Sequence, residues 1–227
     1  MTVSTELIKS LPVFKSLTEL ESSTIARASI IENVAKHKKV YKIEDDIKYI
    51  YIVLKGSIKL GVKTSEEKHF VKYIVYKNEV FGENIFTSIT QRNEDAEALA
   101  DSSILKIEIT AIRSMINNNS DLLATLANII IKRINELEER MQSFVFLTAK
   151  ERITAFIKKT ANMQGIAIGL NETLINHGLS HKEISFITDT SRQTVAKILN
   201  EMKDLNIIHF TDRKPGKILI RDLAMLQ

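Results

Sequence analysis

The most regular hydrophobic pattern in the chain lies near its C-terminus, where apolar and polar positions recur with the period of a helix. Its apolar members are Val195, Ile198, Leu199 and Met202. Spacings of three and four place them on one face, which predicts a helix with one buried side. Ser191 precedes this helix and is a residue type that caps free N–H groups at a helix start. The opposite face is polar and carries Arg192, Gln193, Lys197 and Asn200.

A shorter helix is predicted immediately upstream. Ser180 and Glu183 have the spacing of a capping box, and Ile184 and Ile187 supply a buried side. Residues 188–190 separate the two helices and have about the length of the turn in a helix-turn-helix motif. The segment from residue 179 to residue 205 is therefore predicted to form two short helices joined by a tight turn.

The polar face of the second helix has two interpretations. A charged helical face is often only solvated, whereas arginine, lysine and amide side chains also match phosphates and the major-groove edges of guanine and adenine. The residues that follow favour DNA binding. β-Branched or apolar runs at 207–210 and 218–220 flank a basic segment with Arg213, Lys214 and Lys217. This predicts a hairpin with a basic tip, a wing that reaches phosphates beside the groove.

A long helix is predicted over residues 111–146. Its apolar positions alternate spacings of four and three, at Leu123, Ala127, Ile130, Ile134, Leu137, Met141 and Phe144. They form a heptad seam about 30 Å long at roughly 1.5 Å per residue. Packing against the chain's own barrel would explain part of the seam, but its regularity favours a partner helix in a homodimer.

The period between residues 31 and 109 changes to about two, which predicts β-strands. The runs lie at 40–41, 49–54, 57–62, 70–76, 80–81 and 104–109. Their spacing favours an antiparallel barrel, and Lys55-Gly56 is expected to make a tight hairpin in which glycine supplies a positive φ. Residues 5–30 are predicted to form two short helices separated at Pro12.

These elements predict an α+β chain with three parts. Residues 1–110 would form the β-barrel sensor domain, and residues 111–147 the long dimerisation helix and hinge. Thr148 and Glu151 then begin a new helix with a capping box, so residues 148–227 are predicted to form a winged helix-turn-helix domain.

The charge distribution supports this assignment. The net charge of +4 comes entirely from residues 148–227, which hold 12 Lys and Arg against 8 Asp and Glu, whereas the first 147 residues hold 20 of each. A positive field assists approach to phosphates, because each contact releases condensed counterions. A modestly basic surface without a partner would have the same composition.

The last third of the chain resembles a known family. Residues 190–208, TSRQTVAKILNEMKDLNII, and residues 213–222, RKPGKILIRD, are similar to the winged helix-turn-helix of the Crp/Fnr family of bacterial transcription regulators. The predicted barrel resembles the cyclic-nucleotide-binding domain of the same family, so the resemblance covers nearly the whole chain.

The resemblance implies a homodimer that binds double-stranded DNA and works with RNA polymerase. Its two recognition helices would enter successive major grooves about 34 Å apart on a near-palindromic site. Base or phosphate contacts are implied for Arg192, Gln193 and Lys197. Phosphate contacts are implied for Ser191, Thr194, Lys214 and Lys217. Family members often carry glutamate where Gln193 stands, so the base read there is expected to shift toward adenine.

The resemblance also implies an effector site in the barrel. A phosphate-binding cassette matches Gly82, Glu83, Arg92 and Asn93, with asparagine where the family has serine. In the family the glutamate takes a ribose hydroxyl and the arginine pairs with the cyclic phosphate. The neighbouring carboxylates would neutralise the arginine or oppose an anionic ligand by roughly a kcal/mol per close pair; they are Glu94, Asp95 and Glu97.

Cyclic AMP is not favoured as the effector. Where cAMP-responsive members place adjacent hydroxyl residues against adenine, this chain has Leu137 and Glu138. An apolar side chain leaves a base-edge hydrogen bond unmade, which costs of order 1–3 kcal/mol. A different small molecule, or no ligand, remains open.

Composition limits other chemistry. The chain has no cysteine, which excludes disulfides and cysteine-bound iron–sulfur clusters. Its five histidines and six methionines show no haem motif, and His177 and His181 are expected in a loop and a helix cap rather than in a metal site. No nucleotide-binding loop, metalloprotease or nucleophile-elbow motif occurs, so no enzymatic activity is expected.

The sequence also bears on location and leaves one alternative function. No stretch reaches the roughly 18 apolar residues of a membrane helix, and a soluble, cytoplasmic protein is expected. The alternative to a DNA-binding regulator is a ligand-binding module whose helix-turn-helix contacts protein. The effector, the operator and the direction of regulation are not specified by the sequence.

Overall fold

The computed structural model describes residues 3–63, 69–83, 87–211 and 217–226. The chain divides into two units, Met1–Leu137 and Glu138–Gln227. The boundary lies within the long helix, so the helix contributes residues to both units.

The N-terminal unit begins with two short helices, α1 (Thr5–Ser10) and α2 (Glu19–Arg27), as the break at Pro12 predicts. Pro12 opens a 3-10 turn between them, a position where the missing N–H costs little. The Thr18–Glu21 capping box is present in both directions. The turn between the helices therefore follows from local sequence.

Eight strands follow the helices in the described part of this unit. They are β1 (Ser29–Val34), β2 (Lys39–Tyr41), β3 (Tyr49–Lys55), β4 (Ile58–Lys63), β5 (His69–Val75), β6 (Val80–Phe81), β7 (Asp95–Ala98) and β8 (Ser102–Glu108). They form two antiparallel sheets with strand orders β1-β8-β3-β6 and β2-β7-β4-β5. The antiparallel β domain is confirmed, but its described strands form two separate sheets and not one closed barrel.

The predicted hairpin at Lys55-Gly56 is wrong. Gly56 has the expected positive φ, +85°, and a Cβ there would collide with the hydroxyl of Ser102. The turn nevertheless connects strands of different sheets, because β3 pairs with β6 and β8 while β4 pairs with β5 and β7. The local pattern specifies the tight turn, but not which sheet receives the next strand.

Alternate residues of β3 face two different hydrophobic clusters. Ile50 and Ile52 pack with the N-terminal helices and with Leu122 and Leu126 of the long helix. Tyr51 and Val53 belong to a second cluster that contains side chains from both sheets. The period of two thus places the strand between the helical layer and the inter-sheet core.

The single helix predicted over residues 111–146 is two helices in the structure, α3 (Ile109–Ile116) and the long helix α4 (Ser120–Phe146). The C-terminal unit then contains α5 (Ala149–Gln164), α6 (His181–Ile187) and α7 (Arg192–Asp204). Capping boxes at Thr148–Glu151 and Ser180–Glu183 start α5 and α6, as the sequence predicts.

The C-terminal unit also contains an antiparallel sheet of order β11-β12-β10-β9. Its strands are β9 (Ile166–Ala167), β10 (Thr173–Asn176), β11 (Ile208–Phe210) and β12 (Lys217–Ile220). The pair β11 and β12 is the hairpin predicted beside the recognition helix. β9 and β10 lie between α5 and α6, where no strand was predicted. Among the described residues, no helix combines the length and apolar character needed to cross a bilayer.

Candidate nucleic-acid interface and effector site

The second helix of the helix-turn-helix, α7, has the two faces that its sequence predicts. Val195 and Leu199 are fully buried, and Ile198 and Met202 are nearly so. The polar side chains of the other face are exposed: Arg192, Gln193, Lys197 and Asn200. The structure therefore exposes together the three residues for which base or phosphate contacts are predicted, and Lys197 keeps 78% of its side chain exposed despite a 3.9 Å approach to Glu201.

Ser191 caps the recognition helix α7. Its hydroxyl accepts a hydrogen bond from the Thr194 amide at 3.0 Å and lies 2.8 Å from the Thr194 hydroxyl. Ser191 is exposed and Thr194 is half-buried. The predicted cap is present, and both hydroxyls lie at the end of the helix that the sequence assigns to phosphates.

The wing contains one predicted phosphate contact within the described residues. Lys217 is the first residue of β12, which pairs with β11 in the antiparallel hairpin. Lys214 and the rest of the predicted basic tip, residues 212–216, lie outside the described residues. The contribution of Lys214 thus stays a prediction from sequence.

Two arginines that the sequence did not single out hold the turn between α6 and α7. Arg140 binds the Asp189 carboxylate with two hydrogen bonds, Nε–Oδ2 at 2.9 Å and Nη2–Oδ1 at 2.8 Å. Arg152 donates to the carbonyls of Thr188 at 2.7 Å and Asp189 at 3.0 Å. No local signal connects these residues, since 36 to 49 positions separate the partners along the chain. Asp189 has a positive φ of +50°, which the structure shows and the sequence does not.

The predicted heptad seam lies on the outside of α4. Met141 and Phe144 are 71% and 59% exposed, and Leu123, Ile134 and Leu137 are between 36% and 50% exposed. Ala127 and Ile130 are half-buried. The residues one position away, Leu122 and Leu126, are buried in the N-terminal unit. The helix therefore uses one stripe for its own core and leaves a second apolar stripe at the surface.

Arg92, the arginine of the predicted effector cassette, lies inside the N-terminal unit and is only 3% exposed. It donates to the carbonyl of Gly82 at 3.1 Å and to the carbonyl of Tyr49. The guanidinium carbon lies 4.4 Å from the ring centroid of Tyr41 and 5.5 Å from that of Tyr51. Backbone carbonyls and aromatic rings thus stabilise the Arg92 guanidinium, which the family resemblance pairs with a phosphate.

Gly82 permits this arrangement. Its φ is +74°, and a Cβ at that position would lie 2.8 Å from Nη1 of Arg92. Glycine meets both requirements because it has no side chain and adopts positive φ without strain. The structure therefore brings Gly82 and Arg92 together, as the resemblance implies, whereas Asn93 is exposed.

Glu83 pairs with an arginine of the long helix. Its Oε1 lies 2.5 Å from Nε of Arg133, and Arg133 also donates to the carbonyl of Val80 and lies over the ring of Tyr73. Burial raises the pKa of Glu83, and Arg133 opposes that shift. The carboxylate that the resemblance assigns to a ribose hydroxyl is thus engaged by the protein's own guanidinium.

The three carboxylates near Arg92 in sequence all have lysine partners. The pairs are Lys72–Glu94 at 2.9 Å, Lys39–Asp95 at 2.6 Å and Lys59–Glu97 at 3.4 Å. Glu94 also accepts a hydrogen bond from the Tyr41 hydroxyl. The lysines offset the negative charge of these carboxylates. The carboxylates therefore repel an anion less than the sequence alone suggests.

Both charged residues of the cassette have partners within the protein. Arg92 and Glu83 would each have to exchange protein partners for ligand atoms. Leu137 and Glu138 are both exposed and offer no adjacent hydroxyls. Among the described residues, no group of three or more metal-ligating side chains is placed to hold a metal ion.

An N-terminal unit of antiparallel sheets, a long helix and a winged helix-turn-helix together define a class of DNA-binding transcription regulators. A family model described as the cyclic nucleotide-binding domain matches residues 31–119, and a model described as the Crp-like helix-turn-helix domain matches residues 151–227. These two ranges cover most of the chain. The chain belongs to the Crp/Fnr family of transcription regulators, and the resemblance seen in the sequence is confirmed.

Similar proteins support this assignment. The cAMP-activated global transcriptional regulator CRP of Salmonella typhimurium is 24% identical over 160 residues, which cover 70% of this chain and 75% of that protein. FixK2 from Bradyrhizobium japonicum has a TM-score of 0.77 at 18% identity, over 87% of this chain and 95% of that one. The c-di-GMP responsive regulator CLP of Xanthomonas campestris has a TM-score of 0.74 at 13% identity, over 89% and 99%.

Proposed function

We propose that this regulator acts as a homodimer, paired through the exposed seam of α4, and binds a near-palindromic DNA operator with α7. The observation that supports the proposal most directly is the composition of α7. One face of α7 is buried in the C-terminal unit. The other exposes Arg192, Gln193 and Lys197 to solvent, immediately after the turn between α6 and α7. Arg and amide side chains at this end of a recognition helix match base edges in the major groove.

Each residue of the interface has a separate role in the proposal. Arg192 and Gln193 read bases, with Gln193 directed to adenine, and Lys197 contacts a base or phosphate one turn later. Ser191 and Thr194 contact phosphates at the start of the helix, and Lys214 and Lys217 contact phosphates from the wing. Phosphate contacts set position on the duplex, whereas base contacts set sequence preference.

The role of Arg192 can be tested by substitution. Duplexes enriched from a random library by the full-length protein supply an operator, and fluorescence anisotropy at fixed salt measures its affinity relative to a scrambled duplex. Arg192→Ala is expected to reduce this preference by about 2–6 kcal/mol, because a good bidentate base contact contributes about 1–3 kcal/mol and the dimer loses two. The circular dichroism spectrum should not change, since Arg192 is exposed.

Lys158→Ala is the matched control. Lys158 is exposed on α5 of the same unit, and its removal takes away one positive charge without touching the proposed interface. The control should retain the wild-type preference. An Arg192→Ala variant with unchanged discrimination would exclude Arg192 from base reading, and binding insensitive to salt would favour a domain that contacts protein.

For the sensor unit, we infer an effector other than cyclic AMP or the absence of one. Arg92 and Glu83 are engaged within the protein, and the fold itself does not determine the effector, since a similar structure is a c-di-GMP responsive regulator. Calorimetric titration of the full-length protein with cyclic AMP and with cyclic GMP is expected to show no saturable heat. A saturable signal with either would contradict the inference.

We also propose RNA polymerase as a partner and the cytoplasm as the location. Both follow from the family's function, because a transcription regulator must meet DNA and the transcription machinery in the same compartment. Co-purification of a tagged chain from its own cells, with and without nuclease treatment, tests the first proposal. Retention of polymerase after nuclease treatment is expected, and its loss would indicate bridging by DNA alone.

A further inference from the structure

The turn between α6 and α7 is held by more contacts than its own backbone requires. Within the turn, the amides of Thr188 and Thr190 already donate to the carbonyls of Ile184 and Ser185, both at 2.9 Å. The Thr188 hydroxyl bonds the Ile184 carbonyl as well. These local bonds lie within the turn itself, whereas the additional partners of the turn come from other helices.

The first additional partner is Arg140, near the end of α4. Its guanidinium makes two hydrogen bonds to the Asp189 carboxylate and a third, at 2.6 Å, to the Phe186 carbonyl. The side chains of Arg140 and Asp189 are 16% and 25% exposed, so the pair is largely removed from water. The bidentate geometry fixes direction as well as distance.

The second partner is Arg152, near the start of α5. It donates to Thr188 and Asp189 in the turn and also to the Leu147 carbonyl at 2.6 Å. Its guanidinium carbon lies 5.5 Å from the ring centroid of Phe144. A single side chain therefore connects the turn to the segment where α4 ends and α5 begins.

Both arginines connect the same two parts of the C-terminal unit: the turn before the recognition helix and the last residues of α4. That end of α4 carries Met141 and Phe144 of the predicted dimer seam. A mostly buried ion pair is weak evidence for stability, because its desolvation cost offsets much of its attraction, but its geometry can specify one arrangement. The contacts thus fix α7 relative to the helix segment that would face the partner subunit.

We propose that Arg140 and Asp189 are a positioning pair that sets the spacing between half-sites which the dimer accepts. This rests on the proposed function, since it requires α4 to pair two subunits and α7 to contact DNA. Adding one base pair between half-sites rotates one relative to the other by about 34° and displaces it by about 3.4 Å. A recognition helix held rigidly to the dimer seam tolerates such a change poorly, and a loosely held helix tolerates it better.

The experiment measures spacing preference. The palindromic duplex enriched from a random library by the wild-type protein is remade with one base pair added or removed at its centre, and affinities are measured by anisotropy. Wild type is expected to prefer its own spacing by about tenfold or more. Asp189→Asn should reduce this preference to about twofold, mainly by weaker binding at the best spacing, while affinity for a single half-site duplex stays within about twofold.

The choice of variants separates positioning from folding. Asn tolerates the positive φ of Asp189, +50°, and Asp189→Gly relaxes the backbone further, so neither strains the turn. Arg140→Gln removes the other partner and should give the same loss. Glu172→Gln is the control, because it removes the Arg221–Glu172 ion pair of the same unit and should leave spacing preference unchanged.

Two failures can be distinguished. If wild type enriches no palindromic duplex or shows no preference among spacings, the proposed dimeric mode of binding is wrong. If wild type has a spacing preference and both Asp189→Asn and Arg140→Gln retain it, the positioning role is wrong and the proposed function stands. A loss of half-site affinity equal to the loss at the best spacing would indicate a general defect in α7 and would also overturn the positioning role.

Discussion

His177 is a buried histidine in the C-terminal unit whose charge is suppressed by its surroundings. Nδ1 accepts a hydrogen bond from the Leu179 amide at 3.1 Å, and the ring meets Phe156 edge-on. Burial, and to a smaller extent the neighbouring His181, lowers the pKa of His177 to about 4, with Glu183 opposing. The neutral ring is therefore part of the packed structure, and its protonation is linked to unfolding.

We expect the stability of the C-terminal unit to fall on acidification because of His177. The unfolded chain binds the proton near pH 6.5, whereas the folded unit binds it near pH 4. The contribution is complete above pH 6.5 and is lost as the pH falls from 6.5 to 4, by about 3 kcal/mol in all. His177→Gln should flatten this dependence in urea titrations followed by NMR signals of the unit.

His37→Gln is the control for this measurement. The His37 side chain is 62% exposed and lies in the N-terminal unit, so its removal should leave the slope unchanged. A His177→Gln variant that keeps the full wild-type dependence between pH 6.5 and 4 would assign the effect to other groups.

Gly82→Ala is expected to destabilise the N-terminal unit. The new Cβ would lie 2.8 Å from Nη1 of Arg92, at a backbone φ of +74° that L-residues rarely adopt. Strain of this kind costs of order 1–3 kcal/mol. Urea unfolding should show the loss. Gly169→Ala, where the nearest atom is the end of the flexible Glu172 side chain, should change stability by less than about 0.5 kcal/mol, and an equal effect of both would contradict the explanation.

At the residue scale, the sequence predicts which side chains are buried or exposed better than it predicts which residues they contact. The exposed set on α7 and the buried set behind it follow from spacings of three and four. In the sequence, Arg140 is one of several charged residues outside the seam. Its partner Asp189 is 49 positions away, so no local pattern connects the two. Arg92 illustrates the same limit, since the carbonyls of Gly82 and Tyr49 that it binds leave no mark in the sequence.

Among the elements, helix starts are the most predictable feature of this chain. Capping boxes at Thr18, Thr148 and Ser180 all form, because their hydrogen bonds involve only residues three apart. β7 is harder to predict: its sequence, DAEA, lacks the β-branched and aromatic residues typical of strands, yet its two alanines are fully buried. The pairing of strands also depends on contacts distant in sequence, which explains the incorrect hairpin at Gly56.

The seam of α4 gives a prediction at the scale of one element. Met141 is 71% exposed in the single chain, and a carboxylate at this position would be buried against its counterpart if two helices pair. Met141→Glu is therefore expected to shift native mass spectra from dimer to monomer. The isolated fold should be unaffected, because the side chain is not part of the chain's own core.

Gln142→Glu is the matched control for Met141→Glu. Gln142 is the next residue, is exposed, and lies outside the seam, so the same added charge should leave the dimer intact. A wild-type protein that is monomeric at micromolar concentration would contradict pairing through α4. Equal dissociation by both variants would point to a general effect of charge.

At the scale of the whole molecule, the net positive charge lies in the C-terminal part of the chain. All of the net +4 belongs to residues 148–227, and the first 147 residues are balanced. The predicted cationic contacts to DNA lie in this basic part: Arg192, Lys197, Lys214 and Lys217. The distribution agrees with a division into a sensor that need not meet nucleic acid and a domain that must.

This division predicts a steep dependence of DNA affinity on salt. If Lys197, Lys214 and Lys217 of both subunits contact phosphates, the slope of log K against log salt should be about −5. Lys217→Ala should reduce its magnitude by about 2, because the dimer loses two contacts, and should weaken binding to all sequences alike. Anisotropy titrations from 50 to 300 mM salt, about a sixfold range, cover the region where counterion release dominates.

Lys158→Ala provides the comparison, since it removes the same charge from an exposed position outside the interface and should leave the slope unchanged. A slope near zero for the wild type would contradict phosphate contact and would favour a C-terminal domain that binds protein. A reduced slope for Lys217→Ala, accompanied by unchanged preference between operator and scrambled duplex, is the result expected of a wing that adds affinity without reading bases.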